Sequence, residues 1–404
     1  LINDSTYYAR KHGWVLVEIA LQYRFTWVIS MKISIYHEFV YPYQKGGGEV
    51  QRWNIAQFLA KFGHDMKLIG YRGSKTKKEE TINGVYIKRV GRNIDSASQI
   101  FRRIPAVLLM VPEIIKDDSD VILTNPFFPI IFTLPIAKLR HKKVCVTWDD
   151  VFDYTTLKNH SGVALGYLGF LLEYVGLFLT KFSDAVFCVS DSTKSKLVKA
   201  GIDEKKIIKI LSGINLEEYT VAKKKEQIVY VGRHIFYKNV EDLLRAFSKV
   251  IRTFPKMRLE ILGEGELTRE YKKLAKELGI ENSVDFVGFV DQKKKTKIIS
   301  ESLCLVLPSS VEGFGLAMIE ANACGTPYVA YDIPAAQEIT NITNGGLLAK
   351  HGNVEDLTRK ILYLLKNRSK ARLIGEAGRK NVKETFTWEI TSKKVENGIK
   401  RLYS

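Results

Sequence analysis

The sequence predicts an α/β protein built from two doubly wound, Rossmann-like domains facing across a cleft, and three observations predict it. From Met31 onward, short β-branched runs alternate with longer amphipathic ones, the mark of βαβ units and a largely parallel sheet. A charged, loop-like stretch at 217–226 interrupts the rhythm, which then restarts. A chain of 404 residues with 46% hydrophobic content and ten prolines is long enough for two cores.

In the first half, 32–36, 67–70, 85–90, 120–124, 143–147 and 185–189 read as strands. An amphipathic helix from about Val50 to Phe62 follows the first of them and is stopped by Gly63. In the second half, strands are expected at 227–231, 257–262, 284–287, 303–307 and 327–330. Ligands gather at the carboxyl ends of such strands. Chemistry is therefore expected in the loops after Tyr36, Thr147, Val231, Leu262 and Leu307. The expected limits are 31–215 for the first domain, 216–385 for the second and 386–404 for a terminal segment. Because Met31 directly precedes the first strand, residues 1–30 read as sequence upstream of the true start or as a dispensable leader, with an interfacial anchor as the competing reading.

The net charge of +18 fits an anionic partner such as a nucleotide diphosphate, a phosphorylated lipid or a membrane surface. It divides as +10 through Asn215 and +8 beyond, with no basic tail, which argues against nucleic acid. Cys145, Cys188, Cys304 and Cys324 lie far apart, in neither a zinc spacing nor a disulfide framework, and read as buried thiols in a reducing, cytoplasmic compartment. Glu18 and Arg24 interrupt the apolar run 14–29, and Glu173 interrupts 161–182, which argues against bilayer spans.

Four motifs carry chemistry. Glu312-Gly313-Phe314-Gly315-Leu316 leads into a helix bearing Glu320; the glycines open backbone N–H groups at a helix N-terminus to phosphate, and Glu320, about two turns on, can accept from a ribose. The alternative is a solvated helix face. After strand 227–231, Arg233 and Lys238 can neutralise a diphosphate, the first as a planar fork and the second as a point charge; ordinary surface charge is the alternative. Gly46-Gly47-Gly48-Glu49 opens the first helix and suits phosphate or close sugar approach, or is a ligand-free loop. No Gly-Lys-Ser/Thr follows, so a kinase or ATPase is disfavoured. Thr147-Trp148-Asp149-Asp150 at a strand exit can hold a cation, accept from sugar hydroxyls, or cap a helix, with Asp150 or Asp153 the better cap.

In this order the pieces resemble the retaining glycosyltransferases of family 4, which have the GT-B fold. The likeness runs from about Met31 to the C-terminus. It is carried by the glycine loop with Gly63-His64-Asp65, by Val189-Ser190, Ser212-Gly213-Ile214-Asn215, Gly232-Arg233 with Lys238-Asn239, Leu262-Gly263-Glu264-Gly265, Phe286-Val287-Gly288 and Pro308-Ser309-Ser310. The paired glutamates, Ala323-Cys324-Gly325-Thr326-Pro327 and Phe386-Thr387-Trp388 complete it. The resemblance implies that Arg233 and Lys238 bind the donor diphosphate, that Glu320 binds the ribose, and that Glu312 with the Phe314-Gly315-Leu316 backbone binds the sugar and phosphate. Gly47 and Gly48 would line the donor site, and the last helix would cross back onto the first domain. It also implies sugar transfer with retention, without a metal or other cofactor. The donor, a UDP- or GDP-sugar, is a substrate, and the acceptor is a glycan, glycolipid or lipid-linked hydroxyl.

Asp149 stands where a histidine commonly reaches the donor sugar; a carboxylate accepts a hydrogen bond but cannot donate one. Asn215 stands where an aspartate is usual, and Ile333-Pro334-Ala335-Ala336-Gln337-Glu338 replaces a glycine-rich turn before a glutamate. A nucleotide-sugar epimerase, a phosphorylase and a catalytically silent sugar-nucleotide-binding protein are the competing functions. Finally, Gln99 to Lys116, with Arg102 and Arg103 among apolar residues, and the cluster Lys138 to Lys143 read as a basic surface for peripheral contact with anionic lipid, or as core-facing helix with solvated arginines.

Overall fold

The computed structural model describes residues 16–17, 28–42, 47–95, 100–151 and 163–404. Most of the leader, Gly46, Asp153 and Gln99 therefore lie outside the described residues. The described residues form two large sheets, besides a short antiparallel pairing of Leu16–Val17 with Val28–Ile29. The first holds β1 (Lys32–Tyr36), β2 (Asp65–Tyr71), β3 (Glu79–Ile82), β4 (Val85–Val90), β5 (Val121–Thr124), β6 (Lys143–Trp148), β7 (Ala185–Cys188) and β8 (Ile207–Lys209) in the order β8-β7-β6-β5-β1-β2-β4-β3. Every neighbour is parallel except the β3–β4 hairpin. The second holds β9 (Gln227–Val231), β10 (Arg258–Leu262), β11 (Val284–Gly288), β12 (Leu305–Leu307), β13 (Tyr328–Tyr331) and β14 (Gly346–Ala349), all parallel, in the order β11-β10-β9-β12-β13-β14. Both sheets reverse strand order at a central strand, so each is doubly wound as the alternation requires.

Period-two alternation decides which face each side chain serves. In β6 and β7, Val144, Val146, Val186 and Cys188 pack with helices α2 (Ile100–Leu108), α3 (Val111–Lys116), α4 (Phe128–Leu139), α5 (Val163–Thr180) and α6 (Asp191–Lys199). Cys145, Ala185 and Phe187 face the other way, onto α1 (Gly47–Lys61) and α14 (Trp388–Lys400). The second unit is covered by α7 (Val240–Thr253), α8 (Thr268–Glu277), α9 (Gln292–Glu301), α10 (Leu316–Ala323), α11 (Pro334–Thr343), α12 (Val354–Lys366) and α13 (Arg368–Thr385). All four cysteines are buried and free.

Helix α14 is the terminal crossing. It packs Val395 and Ile399 beside Trp53, Phe187 and Ile210 of the first unit. Gly213 makes the crossing tight: a Cβ there would lie 2.4 Å from the Trp388 nitrogen. Ile214 donates its N–H to the Phe386 carbonyl (2.9 Å), so the two connections run side by side. Beneath the helix, buried Glu396 pairs with Lys400 (2.6 Å) and Lys393 (2.7 Å). It also accepts from His64 Nε2 (3.3 Å), whose Nδ1 accepts the Met31 N–H (3.2 Å).

The layer α2–α6 has an unusual outer face. Thirteen of the eighteen exposed large apolar side chains among the described residues lie on it, including Leu108, Leu109, Leu171, Tyr174, Phe178 and Phe182. Leu171, Tyr174, Phe178 and Phe182 recur at helical spacing, so they form one stripe, and the Phe178 and Phe182 rings meet edge to face at 5.4 Å. No helix among the described residues is long and apolar enough to cross a membrane.

Candidate functional site

The carboxyl ends of both sheets meet around Glu312-Gly313. At the end of β9, Gly232 turns the chain and the loop 232–234 is packed against the β10 exit; a Cβ on Gly263 (φ +111°) would lie 2.0 Å from the Gly232 carbonyl oxygen, so only glycine fits. Arg233 emerges exposed and donates from Nη2 to the buried Tyr237 hydroxyl (3.1 Å). Lys238 follows on a short 3₁₀ turn, and Asn239, at φ 46°, ends it, anchored by its amide to the Pro308 carbonyl (3.0 Å) and Ser310 Oγ (2.5 Å). Lys238 and Glu312 form an ion pair of 2.5 Å, their side chains 13% and 12% exposed. The sequence reading gave them separate partners, the diphosphate and the sugar; the structure couples them.

Gly315 (φ +95°) caps α10, leaving the first N–H groups of that helix without intrahelical acceptors. The Phe314 ring is buried against Phe386 (centroids 5.9 Å), so Phe314 offers the cleft its backbone only. Glu320, 8% exposed, accepts on Oε1 from the Tyr219 hydroxyl (2.9 Å) and Lys295 Nζ (2.6 Å). Burial and the Glu320 charge push the Tyr219 phenol far above its usual range, so it stays a donor.

The first unit reaches the same place from the opposite side. A Cβ on Gly47, at the start of α1, would sit 3.2 Å from Leu316 Cδ1, and one on Gly48 would sit 2.5 Å from Asp149 Oδ2. A Cβ on Gly313 would meet the Asp149 carbonyl oxygen at 2.6 Å. Asp149 thus stands where the glycine loop and the Glu312 turn converge. Its carboxylate takes both arms of the Arg52 guanidinium, Nη1 to Oδ1 at 2.8 Å and Nη2 to Oδ2 at 3.1 Å. Asp150 does not cap a described helix; it is buried, pairs with Lys196 (2.7 Å) and accepts the Val151 N–H. Burial raises its pKa against the opposing pull of Lys196.

Arg52, Tyr219, Tyr237 and Lys295 are the site residues that reading the sequence missed. Each meets its partner through tertiary structure, or, for Tyr237, from within a run where the charges drew attention. Glu338 is a further addition: it joins the two units, accepting from Lys209 Nζ (2.9 Å) and the Asp191 N–H (2.8 Å). Asn215 holds a local turn through Glu218 (3.0 Å).

The basic-surface expectation needs correction. Arg103 is not solvated; it is largely buried, salt-bridged to Glu38 (2.7 Å), with its guanidinium over Phe128 (5.1 Å). Lys138 is paired with Asp184 (2.6 Å), Arg140 donates to the Asp117 carbonyl (2.6 Å), and Lys142 donates to the Ser119 carbonyl. These cations are committed internally, Arg103 and Lys138 to carboxylates and Arg140 and Lys142 to carbonyls just past the end of α3.

Comparison with known proteins gives a consistent match. Residues 214–381 match the family described as Glycosyl transferases group 1, and residues 45–218 match Glycosyltransferase Family 4. An uncharacterized glycosyltransferase of Methanocaldococcus jannaschii is 27% identical over 303 residues, covering 71% of this chain and 76% of that protein. Glycogen synthase of Mycobacterium tuberculosis is 27% identical over 244 residues, 59% of each chain. Among solved structures, sucrose-phosphate synthase from Thermosynechococcus elongatus superposes with a TM-score of 0.78 at 20% identity, covering 92% of this chain and 99% of that one. Anabaena HepE in complex with UDP-glucose gives 0.73 at 17% identity, covering 92% and 100%.

Proposed function

Since the chain belongs to the family 4 glycosyltransferases of GT-B fold, we propose that it moves a hexose-type sugar from a UDP- or GDP-sugar to a glycan, glycolipid or lipid-linked hydroxyl, with retention and without a metal. The observation that carries this reading is the convergence of Arg233, Lys238 and the open N-terminus of α10 on the Glu312 turn. Positive charge and helix N–H groups gathered there suit a leaving diphosphate. Arg233 and Lys238 hold the diphosphate, Glu312 and the 314–316 backbone hold the sugar and its phosphate, and Glu320, with Oε1 already engaged, offers Oε2 to the ribose. The acceptor enters from residues 31–215 and attacks from the face the phosphate leaves, a phosphate oxygen taking its proton.

The test is donor hydrolysis and binding across UDP-, GDP- and ADP-sugars in metal-free buffer. Release of nucleoside diphosphate from one sugar, lost in Arg233→Ala, is the expected result. Conversion of the donor without an acceptor, or dependence on orthophosphate, would mean an epimerase or a phosphorylase instead. Binding without release, with acceptor hydroxyls supplied, would mean a silent site.

We also place the chain at a membrane surface, through the apolar outer face of α2–α6 rather than through the internally committed basic cluster. The stripe Leu171, Tyr174, Phe178 and Phe182 suits the interfacial zone of a bilayer, where aromatic rings are favoured. Exposed Arg102, Lys116, Lys181 and Lys199 lie on the same layer, while α2, α4 and α5 expose no acidic residue. The full chain is expected to float with vesicles containing one third anionic lipid, and the Leu171→Asp/Phe178→Asp variant to stay behind with donor hydrolysis unchanged. Equal recovery of the two proteins, or a dimer held by this face in the absence of lipid, would refute it.

A further inference from the structure

Resting on the transferase reading, we propose that Arg52 and Asp149 act as one charge-compensated unit that reads hydroxyls of the transferred sugar and excludes sugars carrying a negative charge at that position. The pair is asymmetric. The Arg52 side chain is 5% exposed and that of Asp149 is 46% exposed, so the cation is sunk in the first unit and the anion faces the cleft. Arg52 is fixed from behind: it donates to Gln51 Oε1 (2.5 Å) and the Thr147 carbonyl (3.3 Å), and Gln51 Nε2 is itself held by Ser212 Oγ (2.8 Å). A guanidinium so placed sets the carboxylate's orientation and cannot swing past it to meet a ligand.

Two glycines aim the unit. Gly48 leaves the 2.5 Å approach that any Cβ would fill, and Gly313 lets the Asp149 backbone abut the turn proposed to hold the sugar. The position therefore looks onto the donor sugar and not onto the ribose, which belongs to Glu320 further along α10. With one N–H on each oxygen, the carboxylate keeps lone pairs that accept only. Its partners are hydroxyl or ammonium groups. A carboxylate on the sugar would face Asp149 at close range with Arg52 out of reach, and like charges so juxtaposed repel. The substitution of an acid for the family's histidine thus changes which sugars are admitted.

The experiment compares UDP-glucose with UDP-glucuronate, and GDP-mannose with GDP-mannuronate in parallel, by binding and by nucleoside-diphosphate release. Wild type, Asp149→Asn, Arg52→Lys and Gly48→Ala are measured, with affinity for UDP or GDP alone as the check on folding. The wild type is expected to favour the neutral sugar of the accepted base by at least about tenfold in kcat/KM. Asp149→Asn is expected to shrink that ratio by at least about tenfold, with affinity for the free nucleotide within about twofold. Arg52→Lys, which keeps the charge but loses the fork, and Gly48→Ala, which displaces the carboxylate, should shrink it in the same direction. An unchanged ratio in all three variants while overall activity falls would make the pair structural and overturn the proposal. A wild type that neither binds nor releases any of these donors would overturn the transferase reading on which it rests.

Discussion

Lys238→Ala is expected to lower nucleoside-diphosphate release from the accepted donor by about a hundredfold to a thousandfold, the usual loss when one preorganised charge is removed from a site where negative charge develops. The same measurement on Glu312→Ala should show transfer falling further than nucleoside-diphosphate affinity, because a group that meets the sugar acts on the transition state more than on the nucleotide. The 2.5 Å pairing of the two side chains adds a condition. Removing Lys238 strands the Glu312 carboxylate beside the phosphates, so part of the single-variant loss is repulsion and not lost attraction. The Lys238→Ala/Glu312→Ala double variant separates the two contributions. If it recovers most of the Lys238→Ala loss, Lys238 serves chiefly to neutralise Glu312; if it is as impaired as Lys238→Ala or worse, the ammonium acts on the donor itself.

The second large effect is on stability and lies far from the cleft. Glu396→Ala is expected to destabilise the protein by about 2–3 kcal/mol, since it removes a buried carboxylate bonded to two ammonium groups and to His64. Burial alone would raise the Glu396 pKa, but the hydrogen bonds and charges of Lys393 and Lys400 outweigh it and hold it at about 2. A depressed carboxylate contributes stability that is complete above its unfolded value, about 4.3, and is lost as pH falls toward 2. Burial also lowers the His64 pKa, so the fold keeps this ring neutral and loses stability as pH falls below the unfolded value of about 6.5, where the unfolded chain takes up the proton. Both groups therefore make α14 acid-sensitive. Thermal melts across pH 7 to 3 should show a smaller decline for Glu396→Ala than for the wild type, because the variant has already lost the carboxylate's share; parallel curves would contradict the assignment.

The sheets were legible because their strands are β-branched, short and evenly separated by amphipathic runs. Expected 227–231 is β9 to the residue, and expected 67–70 is the centre of β2. The three strands of the two large sheets left out are edge elements with weak patterns: β3 is Glu-Glu-Thr-Ile, β8 has three residues, and β14 begins with glycine. The β3–β4 hairpin did carry a signal, Asn83-Gly84 at φ 50° and 78°, of the kind two-residue turns require. In the cleft, residues following a strand could be named in advance, since sheet topology alone sends them there. The pairing of Arg52 with Asp149, 97 residues apart, and of Tyr219 with Glu320, 101 apart, leaves no local trace. The basic cluster misled for the converse reason: charge is visible in sequence, but whether a carbonyl or carboxylate already claims it is not.

The four buried thiols make the protein its own recorder of unfolding. Cys145 and Cys188 lie in the first sheet, whereas Cys304 and Cys324 flank β12 and α10 in the second unit, each with 0% exposure. Burial pushes Cys188, Cys304 and Cys324 up to about 12, and Cys145 higher still, so none reacts readily with an alkylating reagent in the folded chain. Modification at each thiol then dates the opening of its own half of the molecule, and a single digest read by mass tells whether the halves come apart together or in turn.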